Sequence, residues 1–139
     1  MDALSRAVAD QARKSIQADP YAAIRKASSQ SGVDFDYLYR TARRESGLNP
    51  LARASTSSAT GLFQFTNSTW LSMMSRHGER YGVDAETSQA DLLALREDPL
   101  LSAQMAAELT KENASLLENA IGRKPTSNEL YAAHFLGPS

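Results

Sequence analysis

Two Asp-Pro pairs, at residues 19–20 and 98–99, constrain this chain more than any other feature. An Asp can accept the unpaired N–H groups of a helix's first turn, and a Pro at the first helical position arrives with φ already set. Each pair therefore reads as a helix start, followed by a run that stops at a glycine, Gly32 in one case and Gly122 in the other. The same punctuation recurs between and beyond them. Asp34 can cap a helix carrying FDYLYRTARRES that ends at Gly47, after which Asn49-Pro50 forbids continuation. The stretch SSATGLFQFTNSTWLSMMSRHG reads as a turn and then a helix ending near Gly78. The longest helix is expected to open at Asp98-Pro99, with Leu101, Met105, Leu109 and Leu116 spaced for one apolar face. Thr126 and Glu129 form a capping box for TSNELYAAHFLG, which reaches Gly137 and Pro138. A first segment, about residues 2 to 17, places Leu4, Val8 and Ile16 among alanines and adds one more helix. Strand signals are confined to GLFQF (residues 61–65). The expected fold is all-α, helix-dominated α+β at most, in a single domain over residues 1–139.

Composition narrows the functions such a domain can have. At 139 residues with 42% hydrophobic content, the chain can bury a real core. Fifteen basic residues against 16 acidic give a net charge of −1, so no nucleic-acid-binding surface follows from the total. With no cysteine, disulfides and thiolate metal sites are excluded. The two histidines, His77 and His134, lie 57 positions apart and outside any ligand-spaced cluster, so neither a metal nor a cofactor is expected. No apolar run approaches the ~18 residues needed to span a bilayer, and the N-terminus lacks the apolar core of a secretion signal.

Against this background Glu45 is out of place. At 100° per residue, Phe35, Leu38, Tyr39 and Ala42 form the core-facing stripe of their helix, and Glu45 falls on its margin near the C-terminal end. Partial burial disfavours a carboxylate, and so does the negative end of the helix dipole. Both push the pKa upward, toward a carboxyl able to hold a proton near neutral pH, as a general acid must. Arg43, Arg44 and Arg53 oppose that shift. The Ser- and Thr-rich loop that follows contains no Asp or Glu, and Asp34 and Asp36 lie at the far end of the same helix. Glu45 thus has no obvious second carboxylate beside it, although Glu79 and Asp84 are partners if the fold returns them.

ESGLNP (residues 45–50) followed by SATGLFQF (residues 58–65) resembles the soluble lytic transglycosylase domain, whose fold is similar to that of goose-type lysozyme. In that family a catalytic Glu followed by Ser ends a helix, and a Gly-Leu-Met-Gln-like element lies somewhat under two dozen residues further on. Here Glu45 and Ser46 match the first, and Gly61, Leu62, Phe63 and Gln64 match the second with Phe in place of Met. The resemblance covers roughly residues 20 to 137. It implies cleavage of peptidoglycan between N-acetylmuramic acid and N-acetylglucosamine by one carboxyl. The Glu protonates the glycosidic oxygen, then as a base activates the muramoyl C6 hydroxyl, which closes to a 1,6-anhydro ring without consuming water. By the same resemblance Ser55 and Gln64 contact the sugar and Phe63 supplies an apolar wall, with Ser57 and Ser58 close enough for the register to slip. Trp70, beside Leu71, Met73 and Met74, is expected in the core.

The last motif departs from the family's Ala-Tyr-Asn-x-Gly. With Gly137 aligned, His134 stands at the tyrosine that holds the catalytic Glu and Phe135 at the Asn, while Tyr131, one turn earlier, is another candidate for that contact. The partner implied is the peptidoglycan glycan strand, met by a monomer outside the cytoplasmic membrane, with recruitment by a secretion or flagellar apparatus open. The cluster Arg40, Arg43, Arg44 and Arg53 is a solvated face or a complement to the wall's anionic peptides. A missing export signal fits a mature protein, a phage component, or a domain cut from a longer chain, and the end two residues after Gly137 fits the last. Two rival readings remain, a goose-type hydrolase needing a second carboxylate and a wall-binding module that does no chemistry.

Overall fold

In the computed structural model, residues 19–136 are described, with side chains through Ala132. The helix expected over residues 2–17 lies outside them. Among the described residues there are six α-helices: α1 (Pro20–Ser31), α2 (Phe35–Ser46), α3 (Asn67–His77), α4 (Gln89–Ala94), α5 (Pro99–Ile121) and α6 (Ser127–Leu136). Short 3-10 turns at Gly78–Tyr81 and Leu95–Glu97 flank α4.

The caps sit where the residue types demand them. The Asp19 carboxylate accepts from the Tyr21 N–H (3.0 Å), Asp34 from Tyr37 (3.1 Å), and Asp98 from Leu100 and Leu101 (3.0 and 3.3 Å). Glu129 accepts from the Thr126 N–H (2.9 Å) while the Thr126 hydroxyl accepts from the Glu129 N–H (3.2 Å), closing the capping box of α6. Arg123 grips the same carboxylate at 2.8 Å through both terminal nitrogens. The region between Gly78 and Asp98 carries no clean helical period and breaks into short pieces. Its one regular helix, α4, starts where the Ser88 hydroxyl accepts from the Asp91 N–H.

The first half of α5 is the centre of the core. Every residue from Leu101 to Glu108 is buried, so this segment is enclosed on all sides instead of along one stripe. α1 packs along it through Ala23, Ile24 and Ala27, and the Gln104 amide donates to Gln30 across that contact (2.9 Å). Trp70 is fully buried: its indole N–H donates to the Leu92 carbonyl (2.6 Å) and its ring meets Phe65 edge-on at 5.1 Å. The second half of α5 runs past the core. Leu116, expected on the apolar face with Leu101 and Met105, is 70% exposed.

Candidate active site

The Schellman-type end of α2 forms one wall of the site. Leu38, Thr41 and Ala42 bury one side of this helix, and Glu45 and Ser46 are half-buried at its last turn. The Gly47 N–H closes onto the Arg43 carbonyl (2.9 Å) and the Leu48 N–H reaches back to Ala42 (3.4 Å), with Gly47 at φ 63° and Leu48 at φ 66°. Two consecutive left-handed residues turn the chain sharply away from the helix. An Asx turn at Asn49, whose side chain accepts from the Leu51 N–H, then launches the loop.

That loop has almost no regular structure of its own. Two isolated antiparallel bridges, Arg53 with Thr60 and Thr60 with Phe65, are what remains of the extended piece expected at GLFQF. Polar side chains supply the missing order. The Ser46 hydroxyl lies between the carbonyls of Ala42 (3.0 Å) and Leu62 (2.7 Å), tying the helix end to the turn. The Gln64 amide nitrogen donates to the carbonyls of Gly61 (2.9 Å) and Ala52 (3.1 Å), which leaves its oxygen as the remaining acceptor. Gln64 itself stands at φ 55°. Among the described residues, Leu48 and Gln64 alone enter the left-handed region without being glycine, and they flank the same corner. Such conformations cost about 1–3 kcal/mol each and collect where function holds them.

Arg96 went unmarked in the sequence, yet it organises this loop. It is buried, and its guanidinium donates to the carbonyls of Leu93 (2.9 Å), Ser58 (2.9 Å) and Phe65 (3.0 Å). Burial lowers its pKa, the nearby Arg53 lowers it further, and Glu97 works the other way. Gly61 explains its own identity here. It sits at φ 90°, and a Cβ would lie 2.2 Å from the Arg96 carbonyl oxygen, so a side chain is excluded by the protein's own backbone. No sequence signal separates Arg96 from the other arginines, because two of its three partner carbonyls, those of Ser58 and Phe65, lie more than 30 residues away.

The remaining expected site residues fall in several places. Ser57 and Ser58 spend their hydroxyls inside the loop, accepting from the N–H groups of Ala59 (3.2 Å) and Asn67 (3.0 Å), while Ser55 stands exposed. Phe63 and Phe65 are both 5% exposed and belong to the core cluster. Tyr131 lies on α6 with the Arg44 guanidinium 5.2 Å from its ring centre. It also lines a cleft of about 300 Å3 between α2 and α6, together with Tyr37, Arg40, Arg44 and Asn128. Burial, with Tyr131 adding to it, raises the Tyr37 phenol above its ordinary pKa, while a hydrogen bond with Thr110 opposes the rise. The side chain of His134 is outside the described residues. Of the two acids named as second carboxylates, both are exposed, and Asp84 accepts from the Glu86 N–H in its own turn (2.8 Å).

A helical body closed around one long helix, with a loop tied to the end of α2 through Ser46 and Leu62, is the frame of a lysozyme-like domain. The transglycosylase SLT domain family matches residues 22–137, and the chain belongs to that family. It is a lytic transglycosylase-type domain acting on peptidoglycan, a polymer outside the cytoplasmic membrane. Among the described residues no helix is long and apolar enough to cross a membrane.

Proposed function

We propose that this domain cleaves the β-1,4 bond between N-acetylmuramic acid and N-acetylglucosamine without water, leaving 1,6-anhydro-muramoyl ends, with Glu45 as acid and then base. The observation that carries the reading is the Ser46 hydroxyl on the Leu62 carbonyl at 2.7 Å. It couples the helix end bearing Glu45 to the turn bearing Gln64, so the carboxyl and the free amide oxygen are set by one rigid corner. Glu45 delivers its proton to the glycosidic oxygen as the C1–O bond breaks. The resulting carboxylate then takes the proton of the muramoyl C6 hydroxyl as that oxygen bonds to C1, and the catalyst is regenerated. Gln64, Ser55, Tyr131 and His134 serve substrate binding in this reading, and Phe63, packed in the core, backs the turn that carries Gln64. A hydrolase would instead require a second carboxylate, as a nucleophile at roughly 5–5.5 Å from the first or as a base for water at roughly 6.5–9.5 Å.

The test is mass spectrometry of purified peptidoglycan digested by the wild type and by Glu45→Gln. Muropeptides one water lighter than hydrolysis products are expected from the wild type. Glu45→Gln should lower their rate of formation by about 10^3, within the range for loss of a general acid-base group. Reducing ends in place of anhydro ends would overturn the transglycosylase reading in favour of a hydrolase. Undiminished turnover by Glu45→Gln would remove the carboxyl from the mechanism.

A further inference from the structure

The second half of α5 carries an apolar band open to solvent. Leu116 is 70% and Ile121 38% exposed, Ala120 is exposed and Leu117 is half-buried. At 100° per residue the four share one side of the helix, with Glu118 at its edge. A lone exposed leucine is ordinary, but a contiguous band marks a surface that something covers. The course of α1 shows which part of the chain lies nearest. Gln30, near the C-terminal end of α1, meets Gln104 near the start of α5 (2.9 Å). At the other end of α1, the Tyr21 ring meets Phe35 at 5.1 Å, and Tyr37, two residues further on, hydrogen-bonds Thr110. The two helices are therefore antiparallel. From Gln30 back to Pro20 is ~15 Å of helix, and the same length of α5 from Gln104 reaches Ala114. Residue 19 thus stands one turn or less from Leu116 and Leu117, and 18 residues of chain precede it.

We propose that the occupant of this band is the chain's own N-terminal segment, residues 2–17, docked as an amphipathic helix. Leu4, Val8, Ala12 and Ile16 recur at every fourth residue and so share one face, while Arg6, Asp10, Arg13 and Lys14 fall on the other side. The link is long enough. Ile16 lies three residues before Asp19, and three residues reach ~10 Å, against the ~3–5 Å of helix between Ala114 and Leu117. Continuing in the direction of α1, the segment sets Ile16 over Leu116 and Leu117 and Ala12 over Ala120 and Ile121. Val8 and Leu4 then run on beside the Gly122 turn. Arg13 at the edge of the segment's face suits Glu118 at the edge of the band. The outward side of α1 offers no rival seat, because Arg25, Lys26 and Ser29 are exposed there. Gly122 is also where α5 hands the chain on to α6, so the docked segment braces the helix that carries Tyr131.

The chain has no cysteine, so a pair introduced by mutation reports the contact directly. The full chain carrying Ile16→Cys and Leu116→Cys, oxidised at micromolar concentration, should close an intramolecular disulfide, read by mass spectrometry as a monomer lighter by two hydrogens. Closure should be at least tenfold faster than in a control pairing Ile16→Cys with Leu51→Cys, since Leu51 is also exposed but sits on the loop after α2. A double-mutant cycle in the full chain gives the second readout. Gln keeps helix propensity while removing the apolar surface, so Ile16→Gln and Leu116→Gln should each lower Tm by about 3 °C. Together they should lower it little more than either does alone, because both remove the same contact. Equal rates of closure in the two cysteine pairs would overturn the proposal, as would an unchanged Tm in Leu116→Gln or fully additive losses in the double variant. A disulfide-linked dimer as the main product would overturn it in favour of a second copy of the chain on the band.

Discussion

At the corner where α2 meets the Gly61–Phe65 turn, polar side chains are bound to main-chain carbonyls; where α3 meets α5, they are bound to one another. Ser46, Gln64 and Arg96 between them hold the carbonyls of Leu62, Ala52, Gly61, Ser58, Phe65 and Leu93. On α5, Glu112 is gripped by Arg76 (2.9 and 3.1 Å) and His77 (2.6 Å), and the buried Glu108 accepts from the Tyr81 hydroxyl (2.6 Å) and from Arg80 (3.4 Å). The Tyr81 phenol is pushed up to about 12, by burial first and then by the Glu108 carboxylate it donates to. The difference follows from what each region lacks. Helices satisfy their own carbonyls, so side chains between α3 and α5 can only join one helix to another. The loop satisfies few of its carbonyls itself, so side chains that bind them set its shape. Substitutions should therefore separate the two regions, one through activity and the other through stability alone.

The largest separation is expected from Glu45→Gln, which should lose about 10^3 in rate and keep its melting temperature, since the amide preserves shape. A fall in Tm as large as that of a core variant would break the comparison by making Glu45 a structural residue. Gly61→Ala comes next. A left-handed backbone without glycine and a Cβ at 2.2 Å from the Arg96 carbonyl together should cost about 3 kcal/mol. Calorimetry should show Tm lower by roughly 10 °C. Arg96→Met removes the donors to three carbonyls and should cost about 2 kcal/mol. Its activity should fall further than Tm implies, because the loop that carries Gln64 loses its clamp. Activity tracking stability one for one would place Arg96 with the packing residues instead.

The smallest effect concerns pH. Burial opposes ionisation of Glu112, but the hydrogen bonds from Arg76 and His77 prevail and hold its pKa below the ordinary 4.5. A carboxyl depressed in the folded state adds stability above its unfolded pKa, and that contribution disappears as pH falls through the folded value. Glu112→Gln should therefore lower Tm by a few degrees at pH 7 and by progressively less on acidification below 4.5. A constant gap between the two melting curves across that range would show that the pair contributes through packing and not through charge. Turnover of Glu112→Gln near neutrality should match the wild type.

Much of the helical frame was legible because its signals are local. Asp19, Asp34, Asp98 and Thr126 each cap within three residues of their own position, so spacing alone finds them. Glu45 was legible as an acid at the unfavourable end of an amphipathic helix. The short pieces between Gly78 and Pro99 were not, because neither the 3-10 turns nor the six-residue α4 is long enough to display a period. Leu116 shares a helix side with Leu101 and Met105 and is nevertheless exposed, because periodicity records which residues share a side and not how far along it the packing extends.

The sequence by itself determined where the longer helices begin and stop, which faces are apolar, and that a carboxyl near the end of α2 stands beside a Ser- and Thr-rich loop. Those are properties of neighbours in the chain, written in caps, glycines and 3.6-residue spacing. Only the tertiary structure decided that Arg96 clamps the loop, that Gly61 is glycine because the Arg96 backbone leaves no room, and that Arg40 and Arg44, of four clustered arginines, share a cleft with α6. Each of these depends on groups 30 or more residues apart meeting at hydrogen-bond or van der Waals distance. Such meetings are set by how the whole core packs, and no local spacing encodes them.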